Sequence, residues 1–127
     1  MIAEPSVTDN RESVAASTIR ELRELAELSG DPGQFNELID LFLRELQLAA
    51  ASMTEAFANR DADGLGKLAH ALKGSSGSMG AARLASLCLE LEEMTKNTDL
   101  QEAKGQVVLI ESEICVVQEL LAGETSD

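Results

Sequence analysis

The sequence has 127 residues, a length typical of one domain, and 44% of them are apolar, which is enough to form a buried core. Aromatic residues make up only 2% of the chain and there are two prolines, so the composition favours an all-α fold. The formal net charge of −13 argues against nucleic acid and anionic membranes as partners, because both are bound through basic surfaces.

The N-terminal part of the chain is polar at first and then becomes helical in pattern. Residues 1–16 include Pro5 and show no helical period, so they are predicted to be a disordered lead-in or linker. The capping-box pattern of Thr18 and Glu21 predicts the start of a short first helix, whose apolar stripe begins at Ile19. Gly30 is predicted to end this helix.

The second helix is predicted to start at Asp31 and Pro32, with Asp31 as the N-cap and Pro32 in the first helical position. It is predicted to extend to about Asn59 and to include all three phenylalanines, which are assigned to core packing. Its inward-facing apolar residues repeat with the helical period: Phe35, Leu38, Ile39, Phe42, Leu46, Ala49, Met53 and Phe57.

The third helix is predicted to begin at Asp61 or Asp63, either of which can cap it, and to end near Met79 and Gly80. Its apolar side is formed by a cluster with Ala69 at the edge: Leu65, Leu68, Leu72, Ser76 and Met79. His70, the only histidine, projects from the opposite side, so the imidazole is predicted to face solvent.

Two further helices complete the pattern. The fourth is predicted for residues 82–96, with four inward residues: Leu84, Leu87, Leu91 and Met94. A second capping box at Thr98 and Gln101 predicts a fifth helix over residues 100–121, closed by Gly123. Its apolar residues alternate in spacings of four and three, as in a packed bundle: Ala103, Val107, Ile110, Ile114, Val117 and Leu121.

Together these elements predict an all-α, antiparallel up-and-down four-helix bundle with a short additional N-terminal helix. The reasoning is that short connections place consecutive helices side by side in opposite directions. The bundle is assigned to residues 17–122, after the lead-in and before a flexible tail at residues 123–127.

Three glycines share the outer face of the third helix with His70: Gly66, Gly74 and Gly77. Each costs a helix interior about 1 kcal/mol relative to alanine. Chance and fraying of the helix end can explain Gly77, but they explain Gly66 and Gly74 less well. Gly66 and Gly74 lie four residues on either side of His70, and both are predicted to clear space for a large partner.

The charge around His70 differs from that of the rest of the chain. Residues 64–89 contain no acidic residue but include Lys67, Lys73 and Arg83, so this window carries +3 and the remainder −16. One interpretation is a locally positive site that suits an anion such as phosphate; the other is an ordinary patchy surface with solvated charges.

Most catalytic classes lack their motifs. A phosphate-binding loop is absent, because Lys73 precedes Gly74 and no strand comes before it. A hydrolase that uses Ser75 or Ser76 with His70 has no evident oxyanion hole. A single histidine without a Cys-x-x-Cys pair argues against a bound transition metal. A neutral imidazole, however, is a nucleophile at pH 7 without a base, and it can carry a phosphoryl group covalently.

The segment from His70 to Ser76, H-A-L-K-G-S-S, followed by Gly80, resembles the signature of histidine-containing phosphotransfer (HPt) domains. The segment from Ser29 to Leu43 resembles the entry to their second helix, and the resemblance covers most of residues 18–121. It implies that a phospho-aspartate of a response-regulator receiver domain transfers its phosphoryl group to Nε2 of His70, which passes it to another receiver aspartate. It also implies that the receiver supplies Mg²⁺, with no cofactor bound by this chain.

The resemblance implies roles for the motif residues. Lys73 would steady the phosphoryl oxygens, and Gly74 would let the receiver approach. Ser75 and Ser76 would either form a supporting hydrogen bond or simply pack within the helix.

On the neighbouring helix, Glu92 and Lys96 match positions where some members have a ring-binding glutamine and a basic residue. Lys96 fits that pattern, whereas Glu92 departs from it. A carboxylate could orient the imidazole but would repel phosphate. The role of Glu92 is therefore left open.

Other interpretations of the whole chain remain open at this stage. The main alternative is a helical docking module that binds a receiver or an enzyme without phosphotransfer. The chain is expected to lack its own ATP-dependent kinase activity and to be either free-standing or part of a parent hybrid sensor kinase. No apolar run or signal pattern indicates membrane contact, and Cys88 and Cys115 suit the buried thiols of a cytoplasmic protein.

Overall fold

The structure is a computed structural model that describes residues 14–97 and 100–124. Within these ranges the chain forms five α-helices: α1 Ala16–Leu28, α2 Gly33–Ala58, α3 Ala62–Ser78, α4 Ala82–Lys96 and α5 Leu100–Glu124. Most of the predicted lead-in, Thr98 of the second capping box and residues 125–127 lie outside the described residues.

Helices α2 to α5 form the predicted antiparallel four-helix bundle. Helix α2 packs against α3 and α5, and α4 also packs against α3 and α5, so the four helices form a closed ring. Connections of three residues join consecutive bundle helices, which makes neighbours antiparallel. Helix α1 packs against α2 as the additional N-terminal helix.

The core lies along the axis of this ring and consists almost entirely of aliphatic side chains. The largest fully buried ones come from all four bundle helices: Ile39, Leu46, Met53, Leu65, Leu72, Leu84, Leu91, Ile110, Val117 and Leu121. All six residues of the predicted α5 stripe are buried, which confirms that prediction. Burying such a side chain stabilises the fold by about 1.5–3 kcal/mol.

The inward faces of α3 and α4 are rotated slightly from the predicted ones. Ala69, predicted at the edge, is fully buried, whereas Leu68 is only partly buried. On α4, Cys88 and Thr95 are buried in addition to Leu84 and Leu91, whereas Leu87 is partly buried. Ala69, Cys88 and Thr95 have small side chains, which allows α3 and α4 to pack closely.

The first capping box was a wrong prediction. Helix α1 starts at Ala16, and its N-cap Ala15 forms no side-chain cap hydrogen bond. Tertiary contacts fix this helix start instead, because the backbone N–H of Ala15 donates to the carbonyl of Gly80 at 2.9 Å and Val14 is buried. Helix α1 therefore begins at Ala16, one residue before position 17, where the bundle was predicted to start.

The predicted turn signals were mostly right. Gly30 and Gly80 adopt left-handed φ values of +86° and +82° and follow the ends of α1 and α3, as predicted. Asp61 caps α3, since its carboxylate accepts from the backbone N–H of Gly64 at 2.9 Å. Helix α2 begins one residue later than predicted, with Pro32 as the N-cap and Asp31 accepting from Gly33 at 3.2 Å.

Gly123 does not end the last helix, which is a second correction. Helix α5 continues to Glu124. The side chain of Glu124 accepts a 2.8 Å hydrogen bond from Arg23 of α1, and Arg23 also lies over the ring of Phe35 at 4.3 Å. The Arg23–Glu124 contact thus links the last turn of α5 to α1.

Candidate functional site

His70 lies on the outer wall of the bundle, as predicted. The buried face of α3 consists of Leu65, Ala69, Leu72 and Ser76, which directs the intervening His70 outward. Its side chain is 67% exposed. The imidazole is therefore accessible to a partner domain.

One carboxylate on α4 contacts two of the predicted site residues of α3. His70 Nδ1 lies 2.9 Å from Oε2 of Glu92, and Lys73 Nζ donates to Oε1 of the same carboxylate at 3.1 Å. The Glu92 side chain is only 19% exposed, so it is largely enclosed by these neighbours. The structure thus links His70 and Lys73 through the residue whose role the sequence left open.

The protonation states of Glu92 and His70 follow from their contacts. The hydrogen bond from Lys73 lowers the pKa of Glu92. Partial desolvation raises this pKa, and the hydrogen bond from His70 lowers it further. Glu92 is thus ionised at neutral pH and can only accept hydrogen bonds. We therefore assign the proton of neutral His70 to Nδ1, which leaves the lone pair on Nε2.

A shallow depression of about 370 Å³ lies beside His70, between α3 and α4. Five of its residues were predicted site residues: Gly66, Lys67, His70, Glu92 and Lys96. Ala62, Asp63 and Thr95 complete its lining. The remaining predicted residues, Lys73, Gly74, Ser75, Ser76 and Gly77, lie outside it on α3.

The glycines near His70 do not share one role. A Cβ atom at Gly66 would lie 2.6 Å from Oγ1 of Thr95, so Gly66 permits the close packing of α3 on α4. The structure thus gives Gly66 a packing role, and its predicted role in access for a partner stays a prediction. Gly74 and Gly77 have no such neighbour within 4 Å, which is consistent with an open surface at both positions.

The two serines of the motif also differ. Ser75 Oγ donates to Oε2 of Glu45 on α2 at 2.7 Å, so this serine ties the histidine helix to its neighbour. Ser76 is fully buried, and its hydroxyl has no hydrogen-bond partner among the residues that the structure describes. Of the two roles considered, Ser75 has the hydrogen bond and Ser76 the packing role.

The predicted excess of positive charge is compensated by acidic residues from outside the window. Lys67 pairs with Asp63 at 3.1 Å on the same helix, and Lys73 pairs with Glu92 of α4. Arg83 of α4 pairs with Glu113 of α5 at 3.7 Å. Lys96 contacts Glu93 at 3.5 Å. The hypothesis of a locally positive site is therefore not supported, because each of the three cations in the window has a carboxylate partner.

An apolar groove on the other side of His70 was missed by the sequence analysis. It has a volume of about 570 Å³ between α2 and α3, and its apolar lining includes Leu41, Leu48, Leu68 and Ala71. The side chains of Leu41 and Leu48 are 60% and 70% exposed. Their spacing of seven residues, outside the buried α2 stripe, is the signal that could have revealed a second apolar face.

The described residues contain neither a bilayer-spanning helix nor a cluster of metal ligands. None of the helices in residues 14–97 and 100–124 combines the length and the apolar character needed to cross a bilayer. Within the same ranges, no three His, Cys, Asp or Glu side chains converge in a way that could hold a metal ion.

Comparisons with known proteins agree with this geometry. The Hpt domain family matches residues 37–122. The phosphorelay protein LuxU of Vibrio harveyi is 33% identical over 82 residues, which cover 63% of this chain and 72% of LuxU. The crystal structure of the histidine-containing phosphotransfer protein HptB from Pseudomonas aeruginosa PAO1 superposes with a TM-score of 0.81 at 30% identity. The match covers 88% of this chain and 93% of that one.

Proposed function

The chain belongs to the Hpt domain family and has a histidine phosphotransfer role in a two-component phosphorelay, and we propose that Nε2 of His70 carries the phosphoryl group. The observation that supports this assignment is the pairing of Nδ1 with the ionised Glu92 carboxylate at 2.9 Å. That contact leaves the nucleophilic lone pair on the other ring nitrogen of a side chain that is 67% exposed.

The proposed transfer is a direct exchange between a receiver aspartate and the imidazole. The Nε2 lone pair attacks phosphorus, an N–P bond forms, and the O–P bond of the aspartyl phosphate breaks with its electron pair kept by the receiver carboxylate. Passing the group to a second receiver reverses these steps. Lys73 is positioned to contact the phosphoryl oxygens, because its ammonium lies on the same carboxylate as the ring.

We assign the receiver to the surface that includes His70 and the apolar groove between α2 and α3. Receiver domains are the partners that the Hpt family implies, and transfer requires one to cover His70. The groove adjoins this position through Ala71 and offers Leu41 and Leu48 as exposed apolar contacts. Gly74 leaves the surface open on the same helix.

We place the Mg²⁺ of the transfer on the receiver. The carboxylate nearest to the imidazole, Glu92, does not fit a metal ligand here, because Lys73 and His70 already occupy both its oxygens. We also propose that the protein is cytoplasmic, which the free thiols of Cys88 and Cys115 support. If the chain is part of a hybrid sensor kinase, that kinase should phosphorylate His70 within the same polypeptide.

Substitution of His70 by glutamine tests the proposal. A receiver domain phosphorylated with acetyl phosphate should label the wild-type chain with an acid-labile, alkali-stable phosphoryl group and should leave His70→Gln unlabelled. Because the ring is exposed, the far-UV circular dichroism and the melting temperature should stay close to those of the wild type.

Two results would contradict the proposal. Label that persists in His70→Gln would place the phosphoryl group on another residue. Equal binding of the receiver to both proteins without any transfer would favour the docking module instead.

A further inference from the structure

The outer face of α5 is uncharged, although the chain carries a net charge of −13. Residues 105–118 contain two charged side chains, and neither lies on this face: Glu113 is buried, and Glu111 accepts a hydrogen bond from α2 at 2.6 Å. The apolar residues Val108 and Leu109 are 52% and 53% exposed. Six residues form this surface, which we call the α5 face: Gly105, Val108, Leu109, Ser112, Cys115 and Val116.

Packing within the described part of the chain does not account for the glycine on the α5 face. A glycine inside a helix costs about 1 kcal/mol relative to alanine. A Cβ atom at Gly105 would meet no atom within 4 Å, whereas one at Gly66 would meet Thr95. A bare backbone on an exposed helix face does, however, allow a second helix to approach closely.

We propose that a second copy of this chain covers the α5 face with its own α5, which runs antiparallel to the first about a two-fold axis near Ser112. The apolar positions of the face are symmetric about this residue, at three and four residues on each side. In such a pair, Val108 contacts Val116 of the second copy, and Leu109 contacts Cys115 of the second copy. Apolar side chains therefore meet apolar side chains throughout the contact, as a two-fold interface requires.

Opposite charges at the two ends of the α5 face determine the direction of this pairing. Lys104 and Glu119 are exposed, and neither forms an ion pair within residues 14–97 and 100–124. They lie about 12 Å and about 10 Å from Ser112 on opposite sides along the helix axis. An antiparallel pair therefore brings Lys104 of each copy to Glu119 of the other, whereas a parallel pair would place like charges together at both ends.

A second copy fits the α5 face better than it fits the rest of the surface. Two chains of net charge −13 repel each other, and this repulsion is smallest where an uncharged face is buried. One helix face is smaller than the ~800 Å² per partner of a standard interface, so we expect a reversible dimer with a Kd on the order of 10–100 μM. Because α5 lies across the ring of helices from α3, the dimer leaves His70 of both copies exposed on opposite sides. The inference thus goes beyond phosphotransfer and does not depend on it.

Sedimentation equilibrium under reducing conditions tests the self-association. The wild type should shift from monomer to dimer as its concentration rises, and Leu109→Glu should weaken the dimer at least about tenfold because it buries two like charges. The matched control is Leu25→Glu, which adds the same charge at a 62% exposed position of α1 and should leave the association unchanged. A wild type that stays monomeric at about 1 mM, where a contact of this strength is mostly formed, would overturn the proposal even if no variant folded.

A charge exchange tests the direction of the pairing. Lys104→Glu should weaken the dimer about 3- to 10-fold, because it turns both attractive end contacts into repulsive ones. Adding Glu119→Lys should restore the affinity of the wild type. Adding Glu24→Lys on α1 instead gives the same net charge away from the α5 face and should not restore it. Equal rescue by both additions would assign the effect to net charge and contradict the proposed contact.

Disulfide cross-linking tests the register. In the proposed dimer, Leu109 faces Cys115 of the second copy, so Leu109→Cys should form a cross-linked dimer rapidly when copper phenanthroline is added as the oxidant. The two Cys115 residues of the wild type lie about 9 Å apart along the axis, too far for a disulfide, and Cys88 is fully buried. Wild type that cross-links as fast as Leu109→Cys would indicate a different register and refute the antiparallel pairing.

Receiver binding distinguishes a second copy from a receiver as the occupant of the α5 face. Leu109→Glu should bind a receiver domain as tightly as the wild type does, because His70 lies on the other side of the bundle. A loss of receiver affinity in Leu109→Glu but not in Leu25→Glu would assign the face to the receiver and overturn the proposal.

Discussion

The two sides of His70 are built in opposite ways. On the α4 side, charged side chains line the surface and pair with one another, as in the contacts of Glu92 with His70 and Lys73. On the α2 side, the surface is apolar and open, with Leu41 and Leu48 exposed along a groove. The ring therefore has a hydrogen-bond partner within the chain, whereas the apolar groove is the surface that we propose for the receiver.

The largest expected effect comes from the α2 side. Replacing both Leu41 and Leu48 by glutamine removes apolar contact area without changing the net charge, so receiver affinity should fall by about tenfold. Phosphorylation by phosphoramidate should not change, because that reagent needs no docking surface. The measurement is titration calorimetry with a receiver domain.

The matched control for this pair is Leu109→Gln. Leu109 is 53% exposed on α5, which does not adjoin α3 in the ring of helices. Its substitution should leave receiver affinity unchanged. Equal losses of affinity in the control and in the α2 variant would contradict the difference between the two sides.

The next prediction concerns the packing of α3 against α4. In Gly66→Ala, the new methyl group would meet Oγ1 of Thr95, which donates to the carbonyl of Glu92 at 2.8 Å. The crowding should outweigh the gain in helix propensity and lower the free energy of unfolding by a net ~1 kcal/mol. Urea denaturation measures the change, and an increase in stability would show that α3 and α4 are less tightly packed than described.

The glycine-to-alanine substitution at Gly74, one turn beyond His70, should have the opposite effect on stability. Because a Cβ at Gly74 meets no atom within 4 Å, Gly74→Ala should raise the free energy of unfolding by up to ~1 kcal/mol. Transfer from a receiver should become slower, while labelling by phosphoramidate keeps its rate. Unchanged transfer from the receiver would mean that the partner does not approach α3 at this position.

The smallest expected effect is the pH dependence of stability. The hydrogen bonds from Lys73 and His70 lower the pKa of Glu92 in the folded state, so its contribution to stability is present above its unfolded pKa. The contribution is lost as the pH falls through the lower folded value. Wild type should therefore exceed Glu92→Gln in unfolding free energy at about pH 7, and the difference should shrink at about pH 3. A difference that does not vary with pH would show that Glu92 is not ionised in these contacts.

Sequence reasoning gave correct predictions for features that depend on a single helix. The stripe of α5 and the outward direction of His70 depend on the 3.6-residue period of a single helix, and both are confirmed. Turn chemistry was also local, which is why Gly30, Asp61 and Gly80 were placed correctly. The capping box at Thr18 failed because a contact between Ala15 and Gly80, 65 positions later in the chain, sets the start of α1.

The sequence by itself determined an all-α bundle with one exposed imidazole in a phosphotransfer motif, because helical periodicity and motif spacing are local properties. Only the tertiary structure decided that Glu92 bridges His70 and Lys73, that Ser75 bonds to Glu45, and that Gly66 lets α3 pack closely on α4. The partners in these three hydrogen bonds lie 19 to 30 positions apart. Which of them meet depends on the rotation and separation of neighbouring helices, and these are fixed by the packing of the whole core.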